Sequence, residues 1–373
     1  MASGEAPQRH GGNLAAAARQ LGRRPGGLLD ASASLVPFGP PLALRLALLR
    51  AVAGVPLRAY PDRDWQALRQ VLAGLHGLPP AWVLPGNGAA ELFTWAARDA
   101  AAAGLSLLPA PGFADYHRAL DCWGGARRSC PLPLQWSGAF PQAFPVASLT
   151  GAPAQVLWIT NPHNPTGQLW SRASLEPLLS RFALVICDEA FLPLVPGGEA
   201  QSLIPLLARH PNLVVIRSLT KLLAVAGLRL GYALGAPQRL ARWAGWRDPW
   251  PLNGLALAGA EQLLARPGWL GDWTARVQAW VAREGPWLAG RLQGWPQLTP
   301  LPSAANFLLL RGDRSLSSVA VALAQRHGVL VRQCDAFAGL DGRWLRLGLQ
   351  DRRGNRRMLR ALAAELGPPQ TNA

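Results

Sequence analysis

Between about residue 80 and residue 235, short and largely apolar runs recur with helical stretches between them. The runs are Leu105–Leu108, Val156–Ile159, Leu184–Cys187, Leu213–Ile216 and Leu230–Leu234. Runs of this kind, without sustained polar alternation, mark strands covered on both faces of a parallel sheet. Glu91–Ala103 and Arg172–Arg181 carry helical patterns in the gaps, so the pattern predicts an α/β unit with crossover connections. A helix is predicted over Leu42–Ala53. After Trp250 the texture changes to helices studded with Trp and Arg, up to about Leu292. A final unit then reads as strand Phe307–Leu310, helix Leu316–His327, strands Val329–Arg332 and Trp344–Leu347, and helix Arg356–Leu366. The expected organisation is an N-terminal arm and loop over residues 1–45, forming part of a small domain, then a large α/β domain over 46–250. Connecting helices and a small α+β domain follow over 251–373.

A length of 373 residues with 50% hydrophobic content suits this division. No run of about 18 apolar residues predicts a membrane span, and the first residues lack the basic-then-apolar pattern of a secretory signal. Four cysteines show no C-x-x-C spacing, and Cys187 falls inside an apolar strand, where a thiol is usually inert. A cytoplasmic protein with no metal site is expected. The net charge of +16 raises nucleic-acid binding, yet the arginines are scattered, apart from Arg352, Arg353, Arg356 and Arg357. No nucleic-acid motif accompanies them, so neither nucleic acid nor membrane is an expected partner, and attraction of a small anionic metabolite accounts for part of the charge more economically.

One number changes the picture: of 37 basic residues, a single one, Lys221, is lysine. Arginine replaces lysine well on a solvated surface, but guanidinium cannot lose a proton and attack a carbonyl. The surroundings of Lys221 decide whether its survival is chemical. Ser218-Leu219-Thr220-Lys221 is followed by Gly227-Leu228-Arg229-Leu230-Gly231-Tyr232. This spacing lets Ser218 and Arg229 fold back onto one phosphate while the amine reaches an aldehyde.

Four further strings fit the same chemistry. Pro85-Gly86-Asn87-Gly88-Ala89-Ala90-Glu91 is a glycine turn opening a helix, suited to an anion, and on its own also suited to an ordinary loop. Asn161-Pro162-His163-Asn164-Pro165-Thr166-Gly167 follows a strand as a rigid loop, with the Asn164 amide available to a ring oxygen. Asp188-Glu189-Ala190-Phe191 puts a carboxylate at a strand end, where it would serve a protonated ring nitrogen or cap a helix. Trp344-Leu345-Arg346-Leu347-Gly348 carries an arginine suited to a carboxylate or, without its company, to a surface strand.

Taken together, the series resembles fold-type-I pyridoxal-phosphate enzymes of the class I/II aminotransferase superfamily, over roughly residues 10–365. The resemblance implies a mainly parallel central sheet with helices on both faces, a smaller C-terminal domain, and pyridoxal 5'-phosphate as cofactor. It implies that Lys221 carries the Schiff base, Asp188 pairs with the pyridine nitrogen, and Asn164 bonds the ring hydroxyl. By the same resemblance, Ser218, Arg229 and the amides of Asn87 and Gly88 hold the phosphate, and Phe113 stacks on the ring. Tyr60, in Tyr60-Pro61-Asp62, is similar to the residue that reaches the partner subunit's site, which implies a homodimer.

Two branches compete: histidinol-phosphate aminotransferase and the threonine-phosphate decarboxylase of cobalamin biosynthesis. His10-Gly11-Gly12-Asn13 resembles the decarboxylase's N-terminal motif, which implies substrate-phosphate contact for His10 and Gly11. Phe191 in Asp-Glu-Ala-Phe, and Val331-Arg332-Gln333-Cys334 with Phe337-Ala338-Gly339-Leu340, point the same way. Arg332 and Arg346 have the separation of that branch's two substrate arginines. The expectation is therefore a decarboxylase of O-phospho-L-threonine, with an aminotransferase as the alternative and a non-catalytic basic binding protein as the remote one. The chain departs from the branch at Ser34 and Val36, where asparagines are expected.

Overall fold

The computed structural model describes residues 11–149, 151 and 153–370. The strands in chain order are β1 (Leu29–Asp30), β2 (Val83–Asn87), β3 (Ser106–Ala110), β4 (Arg127–Pro131) and β5 (Val156–Thr160). Next come β6 (Leu184–Asp188), β7 (Leu213–Ser218), β8 (Leu230–Gly235) and β9 (Leu298–Pro300). The last are β10 (Phe307–Gly312), β11 (Val329–Leu330), β12 (Arg332–Gln333) and β13 (Trp344–Gly348).

Seven strands form the large sheet in the order β2-β8-β7-β6-β5-β3-β4. From β4 through β7 all neighbours are parallel, while β8 runs antiparallel to both β7 and β2. Every residue of β5, β6, β7 and β8 is buried, the reason their sequences lack alternation. β2 sits at the sheet edge, where Pro85 is tolerated because one side of the strand needs no ladder bond. That proline and the neighbouring Gly86 hide the strand from a search for apolar runs. The expected sheet with helices around it is the fold observed.

A second sheet, β12-β13-β10-β9, is antiparallel. The N-terminal segment is more ordered than an arm and loop: helix Leu14–Gln20 is capped by the Asn13 side chain, which accepts from Ala16 N–H. β1 then pairs in parallel with β11, which ties the beginning of the chain to its last unit. The predicted continuous strand Val329–Arg332 is divided. Val329 and Leu330 pair with β1, whereas Arg332 and Gln333 pair with β13. Periodicity cannot reveal this exchange of partners, because Val331 is apolar like its neighbours. Among the described residues no helix is long and apolar enough to cross a membrane.

Candidate active site

The carboxyl ends of β5, β6 and β7 open into a cavity of about 400 Å³, closed on the other side by the 30–35 segment and by β12 and β13. This is where an open α/β sheet offers strand ends and helix starts to a ligand.

β6 ends on Asp188, whose carboxylate lies deep in the protein. Oδ1 accepts the Ala190 N–H at 2.9 Å and Oδ2 accepts the Tyr116 hydroxyl at 2.6 Å. The Tyr116 oxygen is also 2.9 Å from Thr160 Oγ1 at the end of β5. Burial pushes Asp188 up to about 6, against the downward pull of the Tyr116 and Ala190 bonds. A cation delivered to this carboxylate would complete a pairing that burial otherwise makes costly.

β7 runs into the short helix Leu219–Leu223, with Ser218 at its N-cap and Lys221 on its inner side. Lys221 Nζ donates to the Ala33 carbonyl at 3.0 Å and lies 5.4 Å from the centre of the Phe191 ring. Burial brings Lys221 down to about 8, helped by the positive charges of Arg346 and Arg229 and opposed by Asp188 and Asp30. An amine in that range is part-neutral near physiological pH, as attack on a carbonyl requires.

Arg229 follows in a left-handed conformation, φ 56°, and its guanidinium lies over the turn at Gly88. Gly88 has φ +74°, which favours glycine, and a Cβ there would have to push the Arg229 guanidinium aside. Helix Gly88–Ala103 begins at this point, three residues earlier than its sequence pattern predicts, and presents Ala89 and Ala90 to the cavity. The expectation for Asn87 needs correction. Its N–H donates to Glu91 Oε2 at 2.6 Å, and neither Asn87, which is exposed, nor Gly88 borders the cavity. The helix-start amides beside the cavity belong one turn position further on, because Glu91 reaches back to claim the first.

At the opposite end, Arg332 and Arg346 are direct cross-strand partners on β12 and β13, and both border the cavity. Arg346 Nη1 donates to Asn164 Oδ1, and Nη2 donates to the Ser32 carbonyl at 2.9 Å. Its Nε is buried without a hydrogen-bond partner among the described residues. Burial pulls Arg346 down to about 10, and Arg332 adds to that pull. With Oδ1 occupied, the amide NH₂ of Asn164 is left to donate. Arg332 has the Phe337 ring 5.4 Å away. Gly11 packs against Ser32, where a Cβ would strike the Ser32 carbonyl oxygen, and Gly12 N–H donates to Ser32 Oγ at 3.0 Å.

Nine of the sequence-selected residues thus share one cavity: Gly11, Phe113, Asn164, Asp188, Ser218, Lys221, Arg229, Arg332 and Arg346. His10 lies outside the described residues. Tyr60 is remote from the cavity, 80% exposed and stacked on Trp250 at 4.5 Å. Ser34 and Val36, where the branch pattern differs, are buried and do not border the cavity. Asp30, on the cavity wall beside Ser32, escaped the sequence reading, which also assigned no role to Tyr116, behind Asp188. The available signal for Tyr116 was its place three residues after Phe113, in a chain with only three tyrosines.

The arrangement fits pyridoxal phosphate in chemical kind. It offers an amine of lowered pKa, a carboxylate for a ring cation, an amide donor, and an arginine over a glycine turn at a helix start. Comparisons agree. The family model for aminotransferase class I and II matches residues 28–362. A threonine-phosphate decarboxylase of Salmonella typhimurium is 34% identical over 366 residues, 95% of either chain. A histidinol-phosphate aminotransferase of Symbiobacterium thermophilum is 34% identical over 338 residues, covering 89% of this chain and 88% of the relative. The fold is shared with the histidinol-phosphate aminotransferase of Sinorhizobium meliloti, solved in complex with pyridoxal-5'-phosphate, with TM-score 0.80, 23% identity and 98% of both chains covered. The chain therefore belongs to the class I and II aminotransferase family and is a pyridoxal-phosphate-dependent enzyme of decarboxylase or aminotransferase type.

Proposed function

We propose that this enzyme decarboxylates O-phospho-L-threonine to (R)-1-amino-2-propanol phosphate, a step of cobalamin biosynthesis. The observation that carries the reading is the cross-strand pair Arg332–Arg346 at the end of the cavity away from Gly88. Two guanidiniums directly opposite one another repel, and both donors of Arg346 that have partners are spent on neutral oxygens. A phosphate dianion relieves that repulsion and accepts several of the remaining N–H groups. The relative at 34% identity over 95% of the chain supports the same choice.

In this reading Lys221 attaches the cofactor, Asp188 holds its ring nitrogen protonated, and Asn164 donates to its ring hydroxyl. Ser218, Arg229 and the helix-start amides at Ala89 and Ala90 hold its phosphate, and Phe113 covers the ring. The cofactor supplies an electron sink conjugated with the substrate's Cα. The protein's task is orientation, because the bond that breaks is the one standing perpendicular to the ring. The arginines, with Gly11 beside them, would grip the substrate phosphate, a contact this reading also assigns to His10, and so set how the carboxylate is turned. Once the substrate amine had displaced Lys221 from the cofactor, the freed Nζ would be placed to deliver a proton to Cα as the bond to the carboxylate breaks and CO₂ leaves.

The enzyme acts as a homodimer in this reading. Helix Leu42–Ala53 buries Leu44, Ala47 and Ala51, yet also exposes Leu42, Leu46 and Leu49 on its other side. Val55, Leu57 and Tyr60 continue this exposed apolar surface. A second copy covering it would bring Tyr60 to the partner's cavity, and light scattering that finds one chain per particle would refute this.

The deciding experiment incubates the purified enzyme with O-phospho-L-threonine and measures CO₂, amine product and transfer of the amino group to a keto acid. The expected result is CO₂ and aminopropanol phosphate in equal amounts. Amino transfer without CO₂ would replace this reading by an aminotransferase, as in the relative from Symbiobacterium thermophilum.

A further inference from the structure

The phosphate-binding turn carries an electrostatic contradiction. Glu91 stands in the first turn of helix Gly88–Ala103, at the pole where an anionic ligand would also sit. A carboxylate there stabilises the helix, but it repels a phosphate dianion at the same pole. Both of its oxygens are engaged. Oε2 accepts Asn87 N–H at 2.6 Å, and Oε1 accepts Trp95 Nε1–H at 2.9 Å.

Arg247 meets this carboxylate from the side away from the cavity. It follows helix Pro237–Trp246, its side chain is 1% exposed, and its Nε lies 3.0 Å from Glu91 Oε1. Nη1 donates to the Pro85 carbonyl at 2.6 Å, two residues before Asn87, and the guanidinium lies 4.6 Å from the centre of the Trp65 ring. The arginine therefore meets the turn twice, once through a hydrogen bond to the β2 backbone and once through a close charge contact, without a hydrogen bond, to the carboxylate that holds Asn87. A guanidinium this deeply buried costs free energy unless it is paired, and Glu91 is its ion-pair partner among the described residues.

We propose that Arg247 is a positioning residue for the cofactor phosphate. It cancels the charge of Glu91, so that Glu91 can hold the Gly88 turn in shape without repelling the anion that the turn receives. The inference rests on the assignment of the cofactor phosphate to Arg229 and the helix start.

The test compares the affinity of the full-length chain, stripped of cofactor, for pyridoxal phosphate and for pyridoxal, which lacks the phosphate. Arg247→Met keeps an unbranched side chain against Trp65 while removing the charge. It should weaken pyridoxal phosphate about tenfold or more and leave pyridoxal within about twofold. Glu91→Gln added to Arg247→Met should restore pyridoxal phosphate affinity to within about threefold of the native chain, as coupled neighbours do in a double-mutant cycle. Equal loss for both aldehydes would mean that Arg247 serves only the fold, and would overturn the proposal. So would unchanged pyridoxal phosphate affinity, or a double variant no better than Arg247→Met. Arg229→Met separates the two levels of the argument. If it fails to lower the preference for the phosphorylated aldehyde, the phosphate is held elsewhere and both readings fall. If it succeeds while Arg247→Met changes nothing, only the role of Arg247 is lost.

Discussion

The two ends of the cavity are built on opposite principles. At the Lys221 end, polar groups are matched within the protein: Asp188 accepts from Tyr116 and Ala190, and Tyr116 also meets Thr160. At the arginine end, Arg332 faces Arg346 across two antiparallel strands, and Arg346 leaves its buried Nε without a hydrogen-bond partner among the described residues. The first end rests on the ends of parallel strands buried at every residue. The second is assembled from the N-terminal segment and the C-terminal sheet, far apart in the chain. One end is preorganised and settled in its hydrogen bonds, with a buried carboxylate that still calls for a cation, and at the other two guanidiniums face each other across the strands. Binding free energy at the second end is therefore available to fix substrate orientation, which is what reaction choice demands.

The sharpest way to break this comparison is at Lys221. Lys221→Arg keeps the positive charge but has no amine that can deprotonate at accessible pH. Turnover should fall at least about 10³-fold, with loss of the visible absorbance of lysine-bound cofactor. Retained absorbance would show that another group attaches the cofactor, and in a chain with one lysine that would undo the whole assignment.

At the other end the two arginines should separate. Either Arg346→Met or Arg332→Met should raise the KM for a phosphorylated substrate, by about 10²-fold. Only Arg346 also acts on Lys221, whose pKa it helps to bring down to about 8. Arg346→Met should therefore raise the Lys221 pKa and move the pH dependence of cofactor attachment to higher pH, while Arg332→Met leaves it in place. Equal pH profiles for the two variants would show that the ends of the cavity are electrically independent.

Much of the first end was legible in the sequence, because Asn164, Asp188, Ser218, Lys221 and Arg229 each sit in a local string attached to a strand end. Local strings carry their own geometry, so five modest signals in chain order combine into one site. The second end was legible only as a spacing between Arg332 and Arg346. Their opposition depends on β11 and β12 exchanging partners at Val331, a tertiary event that leaves no trace in an apolar run. Asn87 was misjudged for a related reason: the amide it offers is consumed by Glu91, whose charge is in turn held by Arg247, 156 residues further along the chain. Tyr116 was invisible as a partner of Asp188, since the two are 72 residues apart and meet only when the helix Asp115–Asp121 packs over the sheet.

Tyr116 also supplies the gentlest test of the settled end. Its hydroxyl donates to Asp188 and holds that carboxyl lower than burial alone would leave it. Tyr116→Phe keeps the ring that packs edge-on against Phe93 and Phe113 and removes one hydrogen bond to a charged group, worth about 1.5–3 kcal/mol. The Asp188 pKa should rise above about 6, so a higher pH is needed to keep the carboxylate ionised toward a ring cation. The acidic limb of both cofactor binding and kcat should therefore move to higher pH, with a loss in kcat of about tenfold at neutral pH. KM should change little, because Tyr116 stands behind Asp188 and away from the arginine end. A uniform loss with an unchanged pH profile would mean that Tyr116 only fills space, and that Asp188 is set by burial and the Ala190 amide alone.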